Sequence, residues 1–172
     1  GNTRETMTNH SFSSNYANSS FAGQRELWNT PLLTTDNFIV VPSIGSIVEG
    51  WLLIAPKKET LCFGAITDVE IEELSQLKRY VHGLLSESYG PVAIFEHGPA
   101  QIKSKVGCGV DHAHLHFVPT SAPLFQQAQQ LSPEIKWERC DSLETLNRFH
   151  TRGTPYLYIE QAEHKPPAMT VS

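Results

Sequence analysis

The sequence predicts an α+β protein in which an antiparallel sheet carries one long helix and shorter helices packed on it. Three observations predict this class. Short apolar runs bounded by turn residues outnumber the helical patterns, one segment has a clear 3.6-residue periodicity, and the predicted order begins strand, strand, helix, strand, strand. The 172 residues are enough for one domain with a substantial core.

The first two strands are predicted at 37–41 and 48–55, where apolar runs flank the turn residues of 42–46. Pro56 ends the second strand, and the pair is consistent with an antiparallel hairpin.

The long helix has the clearest start and stop signals in the chain. Thr67 and Glu70 have the spacing of a capping box, and Gly90-Pro91 is typical of a helix C-terminus. Between them, leucine and valine recur at helical spacing, at Leu74, Leu77, Val81, Leu84 and Leu85.

Beyond the helix, strands are predicted at 92–96, 112–118 and 156–160, and shorter helices at 121–131 and 142–149. A polar loop is expected at 97–111.

We predict a single domain over 23–161, with its core at 37–119 and a C-terminal extension at 120–161. A mobile polar tail at 1–22 and a C-terminal tail at 162–172 flank it.

Composition excludes several classes of protein. The net charge of −5 and the absence of a basic run argue against nucleic-acid binding, and no apolar run has membrane-spanning length. Cys62, Cys108 and Cys140 are odd in number and form no CxxC pair, so neither a disulfide framework nor a cysteine zinc site is predicted. We expect a soluble cytoplasmic protein with no membrane partner.

Three histidines at alternate positions are the most informative feature of the chain. In a strand, His112, His114 and His116 share one face, whereas Ala113 and Leu115 turn to the other. A row of imidazoles on a rigid strand suits phosphate binding, metal binding or acid–base chemistry.

The segment 112–118, His-Ala-His-Leu-His-Phe-Val, resembles the signature of the histidine triad (HIT) family of nucleotide hydrolases and transferases. Upstream, 50–58 resembles the second-strand motif of that family, with the long helix between the two motifs. The resemblance covers 37–119, about half of the chain, and implies a HIT-like fold and, as in many relatives, a homodimer.

The resemblance also implies a mechanism. The middle histidine, His114, attacks the α-phosphorus of a nucleotide and forms a covalent nucleotidyl-histidine, from which water or another acceptor releases the nucleoside monophosphate. We assign His116 to phosphate contact, and His112 to orientation or phosphate contact. This mechanism requires no metal or other cofactor, and its partner is a small-molecule nucleotide.

Two residues that usually accompany the triad in the family are replaced in this chain. Trp51 stands where the family has a fourth histidine, and Gly109, beside Cys108, stands where many members have serine or threonine. His97 is our candidate for the missing imidazole, and Glu96 is a candidate for orienting an imidazole. An ordinary loop histidine and a surface carboxylate are the alternatives for these two residues.

Further residues are candidates for contact with the nucleotide. Cys108 and Gly109 lie in a predicted turn whose N–H groups suit an anion, and Lys105 in the same loop suits outer phosphates. Ser43 is a candidate ribose contact and Trp51 a candidate wall of a base pocket. Ordinary turn, solvent or packing roles are the alternatives for all five residues.

Three functional hypotheses follow from these residues. The first is a nucleotide phosphoanhydride or phosphoramidate hydrolase, with nucleotidyl transfer as a variant. The second is a nucleotide-binding module with little catalysis, because two supports of the motif are replaced. The third is a metal site of three histidines, which explains neither the apolar spacers nor the upstream motif.

Overall fold

A computed structural model describes residues 30–43, 47–98, 112–161 and 164–171. These residues form an antiparallel sheet with helices packed on it, so the predicted α+β class is confirmed. Within the same ranges, no helix has both the length and the apolar character that crossing a membrane requires.

Eight strands, three α-helices and one turn of 3-10 helix form the described part of the chain. The strands are β1 (Leu33–Thr34), β2 (Phe38–Pro42), β3 (Leu52–Pro56), β4 (Val92–Gly98), β5 (Leu115–Pro119), β6 (Lys136–Arg139), β7 (Tyr156–Gln161) and β8 (His164–Val171). The helices are α1 (Asp68–Tyr89), α2 (Leu124–Leu131) and α3 (Glu144–Thr151), and the 3-10 turn spans Phe63–Ala65.

The strands follow the order β1-β2-β3-β5-β4-β7-β8-β6, and each neighbouring pair is antiparallel. Strand β5, which contains the last residue of the histidine triad, therefore lies in the interior of the sheet, between β3 and β4. His116 pairs with Leu53 on one side and with Phe95 on the other. Both edges of this strand are hydrogen-bonded, which fixes the direction of its side chains.

Helix α1 begins and ends where the sequence predicts. Thr67 and Glu70 form a capping box, in which each side chain accepts a hydrogen bond from the backbone N–H of the other residue. The helix ends before Gly90, whose φ of 86° is readily adopted only by glycine.

One face of the sheet and α1 share a buried core. Leu115 and Phe117 of β5 are fully buried in it, as the predicted alternation requires. The helix contributes its periodic apolar side chains, Leu74, Leu77, Val81 and Leu85. Leu84 was predicted on the same stripe, but it is 49% exposed.

Helix α3 packs closely against the 3-10 turn. A Cβ atom at Gly64 would lie 2.6 Å from the carbonyl oxygen of Leu146, so only glycine fits at this approach. Leu146 and Phe149 bury the apolar side of α3 in the same core as α1.

The second predicted strand begins later than its apolar run. Strand β3 starts at Leu52 rather than at Val48, because bends and a turn occupy 47–50. Gly50 has a φ of 81°, and a Cβ atom there would lie 2.7 Å from the ring of Tyr89. This turn ends the regular pairing with β2 at Leu52, opposite Pro42.

The range 162–172, which we expected to be a tail, contains strand β8 between β7 and β6. Pro166 and Pro167 cannot donate backbone hydrogen bonds, and they precede the segment 168–171 that pairs with β6. They coincide with an irregularity in the pairing with β7, where prolines are tolerated in sheets. The predicted tail at 1–22 lies outside the described residues, and the domain boundaries stay a prediction.

The packing of α1 against the core can be tested by making the same leucine-to-alanine substitution at a buried and at an exposed position of the helix. We expect Leu77→Ala to lower the free energy of unfolding by about 2–5 kcal/mol, because Leu77 is fully buried and the substitution leaves a cavity. Leu84→Ala, the same change on the exposed side of α1, should cost less than about 1 kcal/mol. Urea unfolding followed by circular dichroism measures both values, and equal losses would contradict the predicted packing.

Candidate active site

The triad segment combines an irregular start with a regular strand. His112 and His114 precede β5, and His116 lies within it. Ala113 and Leu115 between them are buried in the core, as predicted for the apolar spacers, but His112 is also only 3% exposed, because the regular alternation begins at Leu115. The backbone N–H of Ala113 donates to the carbonyl of Thr60 at 2.7 Å, which holds the irregular part in place.

His114 is held by the backbone of the segment itself. Its Nδ1 lies 2.7 Å from the carbonyl oxygen of His112. Because a carbonyl only accepts hydrogen bonds, Nδ1 carries the proton, and Nε2 of the neutral ring carries a lone pair. No hydrogen bond within the described residues uses this Nε2, so it is available to react with an electrophile.

His112 contributes to the site through its backbone as well as its ring. Its side chain is 3% exposed, and Nε2 lies 3.3 Å from the carbonyl oxygen of Pro56 at the end of β3. The same reasoning places the proton on Nε2 of His112. The His112 carbonyl in turn accepts the Nδ1–H of His114, and both roles predicted for the His112 ring stay predictions.

His116 is enclosed by two aromatic side chains. The indole Nε1–H of Trp51 donates to Nδ1 of His116 at 3.1 Å. The ring of Phe95 stacks on His116 with centroids 4.4 Å apart and an interplanar angle of 8°. His114 meets His116 edge to face, with centroids at 4.9 Å. The two imidazoles are thus direct neighbours.

Burial makes all three imidazoles weak bases. It lowers the pKa of His112 to about 4 and the pKa of His116 to about 3, from an ordinary value of 6.5. Burial also lowers the pKa of His114, where the hydrogen bond to the His112 carbonyl acts in the opposite direction and a charge on His97 adds to the lowering. The triad is therefore uncharged at pH 7, as a nucleophilic imidazole requires.

Residues 96 and 97 lie on opposite faces of β4. His97 is exposed and alternates with Phe95, so it shares the face of His116, and its charge acts on His114. A role for His97 as the substitute imidazole stays a prediction.

Glu96 is fully buried on the core face, where its carboxylate accepts hydrogen bonds from the Phe63 backbone and the Tyr156 hydroxyl. The prediction that Glu96 orients an imidazole is therefore wrong, because both of its oxygens are used on the other side of the sheet. Burial raises its pKa to about 7, and the two donors oppose that rise.

The remaining candidates divide into two groups. Ser43 lies next to Trp51, since its backbone N–H donates to the Trp51 carbonyl at 3.0 Å. Lys105, Cys108 and Gly109 lie outside the described residues. Among the candidates for nucleotide contact that the structure describes, Trp51 contacts His116, and Ser43 is joined to Trp51 by this backbone hydrogen bond.

A metal site has no ligand set in the described ranges. No group of three or more histidine, cysteine, aspartate or glutamate side chains there has a geometry that could hold a metal ion. The hydrogen bonds of His112 and His114 to backbone carbonyls each engage one ring nitrogen.

Sequence reasoning missed Phe95, which forms the stacked wall behind His116. The signal was present in the alternation of β4, where Phe95 and His97 occupy the same face. What the sequence lacked was the register of β4 against β5, which sets Phe95 opposite His116.

Comparisons with known proteins found similarity among solved structures alone. No protein-family model matches this chain, and no curated protein matches it. A Hit-like protein involved in cell-cycle regulation from Bartonella henselae matches 80% of this chain and 97% of its own, at 14% identity and a TM-score of 0.48. A HIT family hydrolase from Clostridium thermocellum matches 62% of this chain and 93% of its own, at 19% identity and a TM-score of 0.41.

The yeast Ap4A phosphorylase Apa2 in complex with AMP is a further match, at 11% identity and a TM-score of 0.43. The match covers 78% of this chain and 55% of the phosphorylase, so this chain spans about half the length of the phosphorylase. Hit-like protein and HIT family hydrolase are among the names of the matched proteins. Similarity at such low identity concerns the fold alone, so any activity has to be inferred from the side chains of this chain.

The lowered pKa values predict that stability falls in mild acid. Below pH 6.5 the unfolded chain binds protons that the folded imidazoles do not bind. The contribution of neutral His116 to the free energy of unfolding is therefore fully present above pH 6.5 and is lost as the pH falls towards 3. Between pH 7 and pH 5, we expect the wild type to lose about 2 kcal/mol more unfolding free energy than His116→Asn, which cannot titrate but can still accept the Trp51 hydrogen bond. Urea unfolding at both pH values measures this difference, and an identical loss in the two proteins would contradict it.

Proposed function

We propose that this protein hydrolyses a phosphoanhydride or phosphoramidate bond of a nucleotide, with His114 as the nucleophile. The observation that carries the proposal is the 2.7 Å hydrogen bond from His114 Nδ1 to the His112 carbonyl. This bond holds the ring in the tautomer whose Nε2 lone pair can attack phosphorus.

The reaction proceeds in two displacements. Nε2 of His114 attacks the α-phosphorus, a P–N bond forms, and the bond to the leaving group breaks with its electron pair and takes up a proton from solvent. The adduct ring is cationic, because Nδ1 keeps its proton, and the His112 carbonyl accepts that N–H. Water then attacks phosphorus, the P–N bond breaks, and the nucleoside monophosphate leaves after the water has lost a proton.

His116 supports the same reaction as a hydrogen-bond donor. Its Nδ1 accepts from Trp51, so the proton of the neutral ring lies on Nε2, which can donate to a phosphoryl oxygen. His97, exposed on the same face, is the proposed substitute for the missing imidazole, Lys105 is the proposed contact for outer phosphates, and Ser43 is the proposed contact for ribose. Transfer to an acceptor other than water, a cytoplasmic location and assembly as a homodimer stay predictions.

One observation favours the second hypothesis, a nucleotide-binding module with little turnover. The partner of His116 Nδ1 is an indole N–H, which can neither accept nor release a proton near pH 7. With this partner, His116 can still offer its Nε2–H to a phosphate, but no proton can be relayed from His116 to residue 51. The two hypotheses differ in whether a covalent nucleotidyl-histidine forms.

The nucleophile can be tested directly. We expect His114→Ala to lower nucleoside monophosphate release from dinucleoside polyphosphates and adenosine phosphoramidates by at least about a thousandfold, because the other two triad rings carry their proton on Nε2. The release is measured by chromatography, and the acid-labile adduct on His114 by mass spectrometry after rapid quenching.

His82→Ala serves as the matched control, because His82 is exposed on α1 and makes no contact with the triad. It should keep the wild-type rate and the adduct. An unchanged rate in His114→Ala would exclude His114 as the nucleophile. Nucleotide binding by calorimetry without adduct or turnover in the wild type would favour the binding module.

A further inference from the structure

The contact between Trp51 and His116 joins residues that are 65 positions apart in the chain. The indole nitrogen is only a donor, and the imidazole Nδ1 that faces it at 3.1 Å can only be an acceptor. The arrangement is directional, since reversing it would require an indole nitrogen without its proton. A histidine at position 51 would permit both directions.

The surroundings of His116 reinforce this tautomer. Phe95 lies parallel to one side of the ring at 4.4 Å, and the Trp51 indole meets it at 66° with centroids 5.8 Å apart. These aromatic walls restrict rotation of the imidazole about its side-chain bonds, because a flipped ring would have to displace one of them. No hydrogen bond within the described residues uses Nε2 of His116, which is therefore available to a ligand.

We propose that Trp51 is a positioning residue that holds His116 as a neutral Nε2–H donor to a bound phosphoryl oxygen. The inference rests on the proposed function and assigns Trp51 a part in it. Trp51 thereby changes from a candidate wall of a base pocket to a residue that acts through His116. In this arrangement the site recognises phosphate at His116 by a directed hydrogen bond rather than by a cationic ring.

The energetics agree with a neutral ring. Burial lowers the pKa of His116 to about 3, and a charge on His114 contributes in the same direction. Removing a neutral imidazole from water costs less free energy than removing a cation, and the neutral ring still has one N–H to donate. Its value as a donor then depends on which nitrogen carries the proton, and that choice is what Trp51 determines.

The tautomer can be read in the free protein without any substrate. We expect nitrogen-15 NMR of the labelled wild type at pH 7 to show His116 protonated at Nε2 and unprotonated at Nδ1, with the signals assigned by their loss in His116→Asn. Trp51→Phe keeps an aromatic ring and removes the donor, so both ring nitrogens should move to intermediate shifts, as in exchange between tautomers. Because the wild-type spectrum needs no variant, the proposal can fail even if Trp51→Phe does not fold.

Trp137→Phe is the matched control. The Nε1 of Trp137 is buried without a hydrogen-bond partner among the described residues, so the same substitution there removes no hydrogen bond to an imidazole. The spectrum of His116 and the turnover should match the wild type. In Trp51→Phe, we expect kcat for nucleoside monophosphate release to fall about tenfold with a smaller change in KM, as expected for a donor used mainly in the transition state.

Three results would overturn the proposal. The first is a wild-type His116 that is protonated at Nδ1 or cationic at pH 7, and the second is a Trp51→Phe spectrum identical to that of the wild type. The third is an unchanged kcat in Trp51→Phe although the tautomer preference is lost. Failure of the proposed function has a different signature. The wild type would then release no monophosphate from any substrate, while the spectrum still showed the fixed tautomer. That result would also contradict the catalytic role assigned to Trp51.

Discussion

The pairing of β5 on both of its edges is the constraint on which the site depends. Leu115 and Phe117 are fully buried on one face, so β3 and β4 hold His116 on the other. A slip of one residue would bring His116 into the core and drive Phe117 out of it, which would cost both an unpaired imidazole and a large apolar side chain. The position of the face that carries His116 is therefore secured by the packing of Leu115 and Phe117 on the opposite face.

Neutrality of the three imidazoles follows from their closeness as well as from burial. A charge on any one of them lowers the pKa of its neighbours, as His114 does for His112 and His116. The surroundings of these rings therefore disfavour a proton on them, whereas the negative charge of a phosphoryl group would favour a cation nearby. The cationic ring of a nucleotidyl-histidine would be compensated by the group attached to it and by the His112 carbonyl. Charge would then appear at His114 only when the ligand that stabilises it is present.

Local signals predicted the parts of the fold that depend on neighbouring residues. The capping box at Thr67, the apolar row of α1 and the alternation around Leu115 each involve residues within one or two turns or a single strand. The contacts that complete the site depend instead on strand register. Trp51 reaches His116 across the β3–β5 pair, and Phe95 reaches it across the β4–β5 pair. No pattern within β4 determines which of its faces meets the triad, and for this reason the sequence left Glu96 as a candidate partner of an imidazole.

Strand β4 shows how the two faces of the sheet are coupled. Phe95 stacks on His116, and the next residue, Glu96, extends into the core, where Phe63 and Tyr156 supply hydrogen-bond donors to its carboxylate. A buried carboxyl group with both oxygens satisfied is stable only while those donors stay in place, since an unpaired one would cost several times the worth of an ordinary hydrogen bond. The backbone of β4 is therefore held at Glu96 from behind. Because Phe95 is next to Glu96 in the backbone, the hydrogen bonds of Glu96 also limit the movement of Phe95 relative to His116. The core thereby helps to hold the orientation, and with it the tautomer, of the His116 ring, which it does not contact.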